Sequence, residues 1–398
     1  MKKSYALALL FFVFIVCAAS AQQIAAPSQV SIKKVKDVVI YEDAKFYSAF
    51  PSVVKRPDGE LLVAFRRAPN RKALGERWDT HIDPNAQLVL VRSKDAETWT
   101  KNPELIYADP LGGTSDANMV QLRDGTLLCA SYTWMLIRPT GLATLKQPMF
   151  SDSGTGFPDT RGVLLGGYFL RSTDGGKSWQ GPFYPPNISP EVNLTPYGNG
   201  IPAYNRGALY EGKSGRLFWG AAALDNAVNP KTSTYLLTSD DKGITWTYRS
   251  PIAVDENVVF NEVSMYETPK GDIVAFIRTG NFEDQAVIAR STDGGESFKW
   301  ESMGFQGHPV NALRLPDDRV LLTYGYRHQP YGIRVRILNA ECTDFADSKE
   351  FVLREDGGNS DVGYTWPVQL DGNRVLVVYY FNQNNGIRQI AGTIIEID

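Results

Sequence analysis

Hydrophobic residues in this chain fall into short, β-branched and aromatic runs, and a tight-turn signal closes almost every run. The stretch "SVVKRPDGELLVAF", Ser52 to Phe65, shows the pattern: two apolar runs folded back around Pro-Asp-Gly. Five more segments repeat it, at Leu122–Leu127, Glu211–Leu217, Thr268–Ile273, Leu315–Val320 and Leu370–Val375. A second kind of turn sits between these hairpins. "RSKDAETW" (Arg92 to Trp99), "RSTDGGKSW" (Arg171 to Trp179), "TSDDKGITW" (Thr238 to Trp246) and "RSTDGGESF" (Arg290 to Phe298) each follow a strand-like run. In such a turn the Asp side chain accepts from backbone N–H groups, Gly permits a positive φ, and the terminal aromatic packs back onto the sheet.

Six hairpins, four of them followed by a third strand and an aspartate turn, predict six four-stranded antiparallel units. No long period of 3.6 competes with that reading. The arrangement that hides the edges of so many small sheets is radial, so the expected fold is all-β, a six-bladed β-propeller over residues 34–398; two packed sandwiches are the alternative. The last strand, in "IRQIAGTIIEI", is expected to share its blade with an N-terminal strand near "KVKDVVIYE", closing the ring.

Composition narrows the function. The formal net charge of −3, from 41 basic and 44 acidic residues, gives no general electrostatic reason for nucleic-acid binding or adhesion to a membrane surface. Lys2 and Lys3 precede the apolar run "ALALLFFVFIV", and Ala19 and Ala21 supply the small residues of a cleavage site. Residues 1–21 therefore read as a signal peptide and 22–33 as a short linker, which predicts an exported protein, periplasmic or extracellular. The residues before Cys17 lack the small side chains that lipoprotein processing prefers. No other run is long enough to span a bilayer. Beyond the leader only Cys129 and Cys342 remain, which supports neither a disulfide framework nor a cysteine metal site.

Antiparallel connectivity also says where chemistry should be sought. Within each blade the hairpins and aspartate turns share one rim, so first-strand starts, second-strand ends and the loops before third strands share the other. That rim collects Arg66, Arg67, Arg71, Arg77, His81 and Asp83 from the first blade, and Glu262 and Arg278 from the fourth. The fifth blade adds His308, Arg327, His328 and Arg334, and the sixth adds Tyr364 and Trp366. The excursion from Trp134 to Leu164 should overhang the same mouth.

The repeated turns resemble the Asp boxes of the sialidase (neuraminidase) superfamily, and the resemblance covers essentially the whole chain after the leader. It implies roles residue by residue. "DPNAQLVLVRS" is similar to the segment whose Asp is general acid and then base, giving Asp83. "NEVSMYETPKGDIVAFIR" is similar to the pairing of a Glu with a carboxylate-binding Arg, giving Glu262 and Arg278. "GYTWPVQL" resembles the segment bearing a tyrosine nucleophile, Tyr364, and "YGIRVRI" the strand that supplies another arginine, Arg334, with Arg327 and Arg336 as neighbouring candidates. The chemistry explains the choice. A sugar with a carboxylate on its anomeric carbon repels an anionic nucleophile, whereas a neutral phenol deprotonated by a nearby Glu avoids that repulsion. Arginines hold the substrate carboxylate through charge-assisted bonds.

Two departures stand against the matches. Where the superfamily begins its first blade with Arg-Ile-Pro, this chain has "AFP", Ala49 to Pro51, and where a late Glu braces that arginine it has Tyr380. Arg66 or Arg67 are the residues placed to reach in instead, and Trp366 is placed to stack on a sugar. The resemblance thus implies a retaining exo-glycosidase that removes a terminal acidic sugar, sialic acid or a related keto-acid sugar, from a glycan, with no cofactor. A hydrolase or lyase for another glycan, such as arabinan or a plant acidic polysaccharide, and a propeller that binds glycans without turnover are the alternatives. The three histidines leave a metal site or a lyase base open.

Overall fold

The computed structural model describes residues 31–398, apart from 77–80, 152–156, 158, 226–230 and 384–385. The leader expected over residues 1–21, with Cys17, and Arg77 lie outside the described residues.

Six antiparallel sheets form the blades of a propeller, the first five each beginning at the hub and running outward in chain order. The first blade comprises Phe46–Lys55, Leu61–Pro69, Gln87–Ser93 and Glu104–Tyr107. In the second, the inner strand is split into Gly113–Thr114 and Asn118–Gln121, followed by Leu127–Ile137, Arg161–Ser172 and Gln180–Phe183. The excursion in this blade adds Phe150–Ser151, which pairs with Gly162 and Val163. The third blade is Tyr210–Glu211, Leu217–Leu224, Thr232–Ser239 and Thr247–Ala253, and the fourth Phe260–Glu267, Ile273–Thr279, Gln285–Ser291 and Lys299–Gln306. His308–Arg314, Val320–Tyr326, Gly332–Leu338 and Glu350–Arg354 make the fifth. The sixth takes Gly363–Gln369, Arg374–Phe381 and Gln389–Ile397 from the end of the chain and its outer strand, Ile32–Tyr41, from the beginning. Ile32 lies opposite Ile397, so the two ends of the propeller are hydrogen-bonded to each other.

Neighbouring blades are held by apolar side chains from facing sheets. Between the second and third, Leu128 and Phe169 meet Leu217, Trp219 and Trp246 in one buried cluster. Trp246 closes an aspartate turn and stacks on Phe169 with ring centroids 4.8 Å apart, so the turn's aromatic fills the seam between blades. The turns themselves follow from their sequence. In Ser172–Trp179, Asp174 accepts from the backbone N–H groups of Lys177 and Ser178 and from both flanking serine hydroxyls. Asp293 repeats the arrangement with Ser291, Ser297 and the amide of Glu296. The first copy lacks glycine, and Ala96 takes the left-handed φ of 64° in its place.

At the hub the inner strands are joined by side chains that reach the next blade's backbone. Ser52 Oγ donates to the Ala117 carbonyl, Asn118 Nδ2 to Asn205, Asn205 Nδ2 to Val263 and Asn311 Nδ2 to Thr365. These bonds satisfy polar groups that ring closure would otherwise bury unpaired.

Candidate active site

At the start of the inner strand, four blades break register: between Ala49 and Ser52, Phe260 and Val263, His308 and Val310, and Gly363 and Trp366. Such bulges turn a strand on its axis and re-aim its side chains, here toward the mouth of the hub. Asp116 and Glu262 stand two residues ahead of the hub residues Asn118 and Ser264, and Arg206 and Tyr364 one residue ahead of Gly207 and Thr365. All four carry chemistry. Arg206 needs its glycine neighbour, because a Cβ on Gly207 would stand 1.9 Å from the Val263 carbonyl oxygen.

These side chains converge. The Tyr364 hydroxyl donates to Glu262 Oε1 at 2.7 Å, and Arg278 Nη1 donates to both oxygens of the same carboxylate at 3.0 and 3.1 Å. Arg206 Nη1 lies 3.3 Å from the Tyr364 hydroxyl and 3.6 Å from Glu262, while its Nε lies 3.3 Å from Asp116. The Arg327 guanidinium covers the Tyr364 ring at 5.4 Å. Tyr364, Glu262, Arg278 and Arg327, four of the residues singled out by sequence, thus meet at one point. Asp116 and Arg206 join them unforeseen.

The electrostatics follow from burial and from those cations. Burial alone would raise the Glu262 carboxyl, but Arg278 and Arg206, with the Tyr364 hydrogen bond, bring it down to about 2. Burial, and then the Glu262 charge, push the Tyr364 phenol up to about 12. With the carboxyl held low and the phenol held high, the proton between them rests on Tyr364. Burial raises the Asp116 carboxyl against the pull of Arg206, with Glu262 adding to the rise. Tyr364 itself is at φ 52° and Phe50 at φ 57°, left-handed values that bulky residues rarely adopt, and their rings face each other at 4.8 Å. A cavity of about 260 Å³ opens beside the cluster, lined by Glu262, Arg278, Arg206 and Asn261 and walled by Trp134 and Met149. The second-blade excursion contributes both apolar residues.

The remaining predicted residues lie elsewhere. Asp83 is 1% exposed, and Arg71 bonds both its oxygens at 2.7 and 3.0 Å. Arg66 points inward, close enough to Asp83 and Asp116 to be influenced by both charges, and donates to the Thr114 carbonyl. It stands opposite Ala49 in the register and so occupies the side of the blade where a first-strand arginine was missed. Arg67, the next residue, points to the other face and lies over Phe46 at 4.3 Å. Arg334 is drawn away from the cavity: it donates to the carbonyls of Ile333, Arg354 and Pro330 and stacks on Tyr326 at 4.8 Å. Arg336 binds the Tyr324 hydroxyl on the same outer side. Trp366 packs against the core between the sixth and first blades and lines the narrow hub channel, not the cavity.

Around this centre lie two further polar groups. Asp361 accepts from the hydroxyls of Tyr47 and Tyr380 and from Arg388 Nε, each at 2.8 Å, and His81 Nε2 stands 3.3 Å away. His308 and His328 approach the two oxygens of Asp284 at 3.2 and 3.1 Å. Burial, with Arg278 and Arg327 nearby, brings the His308 imidazole down to about 4. Among the described residues no three His, Cys, Asp or Glu side chains are placed to hold a metal ion, and no helix is long and apolar enough to cross a membrane.

Comparison with known proteins gives the following. Residues 149–375 match the family described as BNR repeat-like domain. No curated protein matches the chain. Among solved structures, a protein of unknown function from Dyadobacter fermentans is 62% identical, with a TM-score of 0.89 over 92% of this chain and 99% of that one. A sialidase from Streptococcus pneumoniae superposes with a TM-score of 0.61 at 16% identity, over 90% of this chain and 70% of that one. An α-L-arabinanase from Penicillium chrysogenum, solved with arabinobiose, gives 0.60 at 14% identity, over 92% and 98%. At those lower identities the likeness is one of fold.

Proposed function

This chain belongs to the BNR repeat-like domain family, and from that premise we propose that it is an exported exo-glycosidase of sialidase type, hydrolysing a terminal acidic sugar from glycans. The observation that carries the reading is the Tyr364–Glu262 pair enclosed by Arg278, Arg206 and Arg327. Two cationic nitrogens lie within 3.5 Å of the phenolic oxygen. A substrate carboxylate must therefore sit next to the very carbon that this oxygen attacks, as it does in a keto-acid sugar. A neutral pentose would bring no anion to the positive field that the three arginines leave beyond Glu262, which disfavours an arabinan substrate despite the shared fold.

The pair explains its own switching. While the site is empty, Arg278 and Arg206 hold Glu262 ionised and the proton stays on Tyr364. A bound carboxylate takes up part of that positive field, so Glu262 gains proton affinity as the phenol begins to bond to the anomeric carbon. Bond formation and proton transfer then proceed together. The glycosidic oxygen leaves with a proton, and water cleaves the tyrosyl–sugar bond with net retention of configuration.

For the acid that serves the leaving group, Asp116 has better support than Asp83. Asp116 adjoins Arg206, and burial keeps it protonated further up the pH scale. Both oxygens of Asp83 are engaged by Arg71. The test is a panel of sialyl, deoxy-keto-acid and arabinosyl aryl glycosides, with product configuration followed by NMR. Free acidic monosaccharide of retained configuration supports the proposal. An unsaturated product would indicate a lyase, and saturable glycan binding without product a binding module; either outcome removes it.

A further inference from the structure

Arg327 stands over the Tyr364 ring, yet among the described residues no carboxylate bonds it directly. Its Nη2 donates to the Tyr380 hydroxyl at 3.0 Å and its Nε to the Val362 carbonyl at 3.1 Å. Tyr380 in turn donates to Asp361 Oδ1 at 2.8 Å. Asp361 is three residues ahead of Tyr364 and one ahead of the carbonyl that Arg327 holds. The same carboxylate fixes its own loop: its second oxygen takes Arg388 and Tyr47, its amide donates to Asn359 Oδ1, and its carbonyl accepts from Asn382. Burial would raise an isolated carboxyl here, but His81 and Arg388 hold Asp361 far below the usual carboxylate range. It is an anion with every strong donor around it committed.

We propose that Asp361 is the positioning residue of this site, acting through the Tyr380 hydroxyl to hold Arg327 against Tyr364. The placement has a physical purpose. An arginine bonded directly to a carboxylate surrenders its charge to that partner, whereas one held by a phenol and a carbonyl keeps most of it for a ligand. Arg278 and Arg206 both spend charge on Glu262. Arg327 is the cation of the three that is braced by neutral groups, and so the one best prepared for a substrate carboxylate. Tyr380 lies next to the end of its strand, still paired opposite Gly363 and Ile390, and is fully buried, so its hydroxyl is a rigid spacer between anion and cation.

The ligand side of this inference rests on the proposed function; the geometric side does not. Tyr380→Phe removes one oxygen from a buried ring and leaves the bonds of Asp361 to Arg388 and Tyr47. Crystal structures of ligand-free Tyr380→Phe and Asp361→Asn are expected to show Arg327 displaced from the Tyr364 ring, with melting temperature little changed in the first. An Arg327 that keeps its position in both variants overturns the proposal whatever the substrate. In binding of free N-acetylneuraminic acid or a 3-deoxy-keto-acid sugar, Tyr380→Phe should weaken affinity about tenfold, raising KM more than it lowers kcat. In an Arg327→Ala background the same Tyr380→Phe change should cost little more, since its effect runs through Arg327; fully additive losses would mean that Tyr380 supports the fold alone. If the unaltered protein binds none of these sugars, the functional reading fails and the position of Arg327 in the crystals still decides the relay.

Discussion

The hydroxyl of Tyr364 lies 2.7 Å from Oε1 of Glu262, although the two residues are 102 positions apart in the chain and two blades apart in the ring. A phenol beside an ionised carboxylate is a poor acid at rest, and the arginines around it set when that changes. Tyr364→Phe keeps the ring and its packing on Phe50 but removes the attacking oxygen. Turnover should fall on the order of a thousandfold or more, while affinity for an acidic monosaccharide stays within a few fold, read by steady-state kinetics beside calorimetry. Normal hydrolysis by this variant would end the nucleophile assignment.

Glu262 also couples the fold to pH. Its carboxyl is held at about 2 in the folded chain against an ordinary 4.5, so its contribution to stability is complete above about pH 4.5 and is lost as pH falls toward 2. The size is on the order of 3 kcal/mol for a fully buried group shifted this far. Denaturant titrations of Glu262→Gln between pH 5 and pH 2 should show a shallower loss of stability than the unaltered protein, by about that amount. Parallel curves would mean that Glu262 is not held as an anion.

The two buried aspartates should separate cleanly. Asp116→Asn removes a proton donor, so activity on natural glycosides should drop at least about a hundredfold while aryl glycosides with good leaving groups are much less affected. Asp83→Asn should instead destabilise the fold by about 3–5 kcal/mol, because it breaks the two-bond buried pair and leaves the Arg71 guanidinium only its longer contact to the exposed Glu76 carboxylate. A leaving-group dependence in Asp83→Asn and none in Asp116→Asn would exchange their roles.

Trp246 offers a control far from the chemistry. It stacks on Phe169 across the seam of the second and third blades and touches Trp219 of its own blade. Trp246→Ala should lose about 3–5 kcal/mol of stability with kcat/KM unchanged at low temperature, measured by thermal melting and initial rates. A selective loss of kcat would show that the seam feeds the site.

Local chemistry accounts for what could be read from the letters alone. Each hairpin and each aspartate turn is specified within eight or nine consecutive residues, so the six blades and their strand directions were legible. Direction then put Tyr364, Glu262, Arg278 and Arg327 on one rim, where the structure has them. Which of Arg334, Arg336 and Arg327 faces the cavity stayed open, because position in a strand does not say what covers that face; over Arg334 it is Tyr326 and three carbonyls. Asp116 and Arg206 were missed because they stand in connections with no recognisable turn, "TSDANM" and "YNRGAL". A signal existed: Asp116 stands two residues ahead of a hub residue, as Glu262 does, and Arg206 one ahead, as Tyr364 does. Asp361 gave no such signal, since its partners come from four separate segments.

Pairing Ile32–Tyr41 with Gln389–Ile397 makes the order of synthesis matter. The first segment of the propeller to emerge must wait, unpartnered, until the last has been made, and Phe381's strand keeps an open edge until then. Assembly should consequently end in one late zippering step spanning the whole chain, slow to nucleate because its loop is long but hard to reverse once both ends are sewn together.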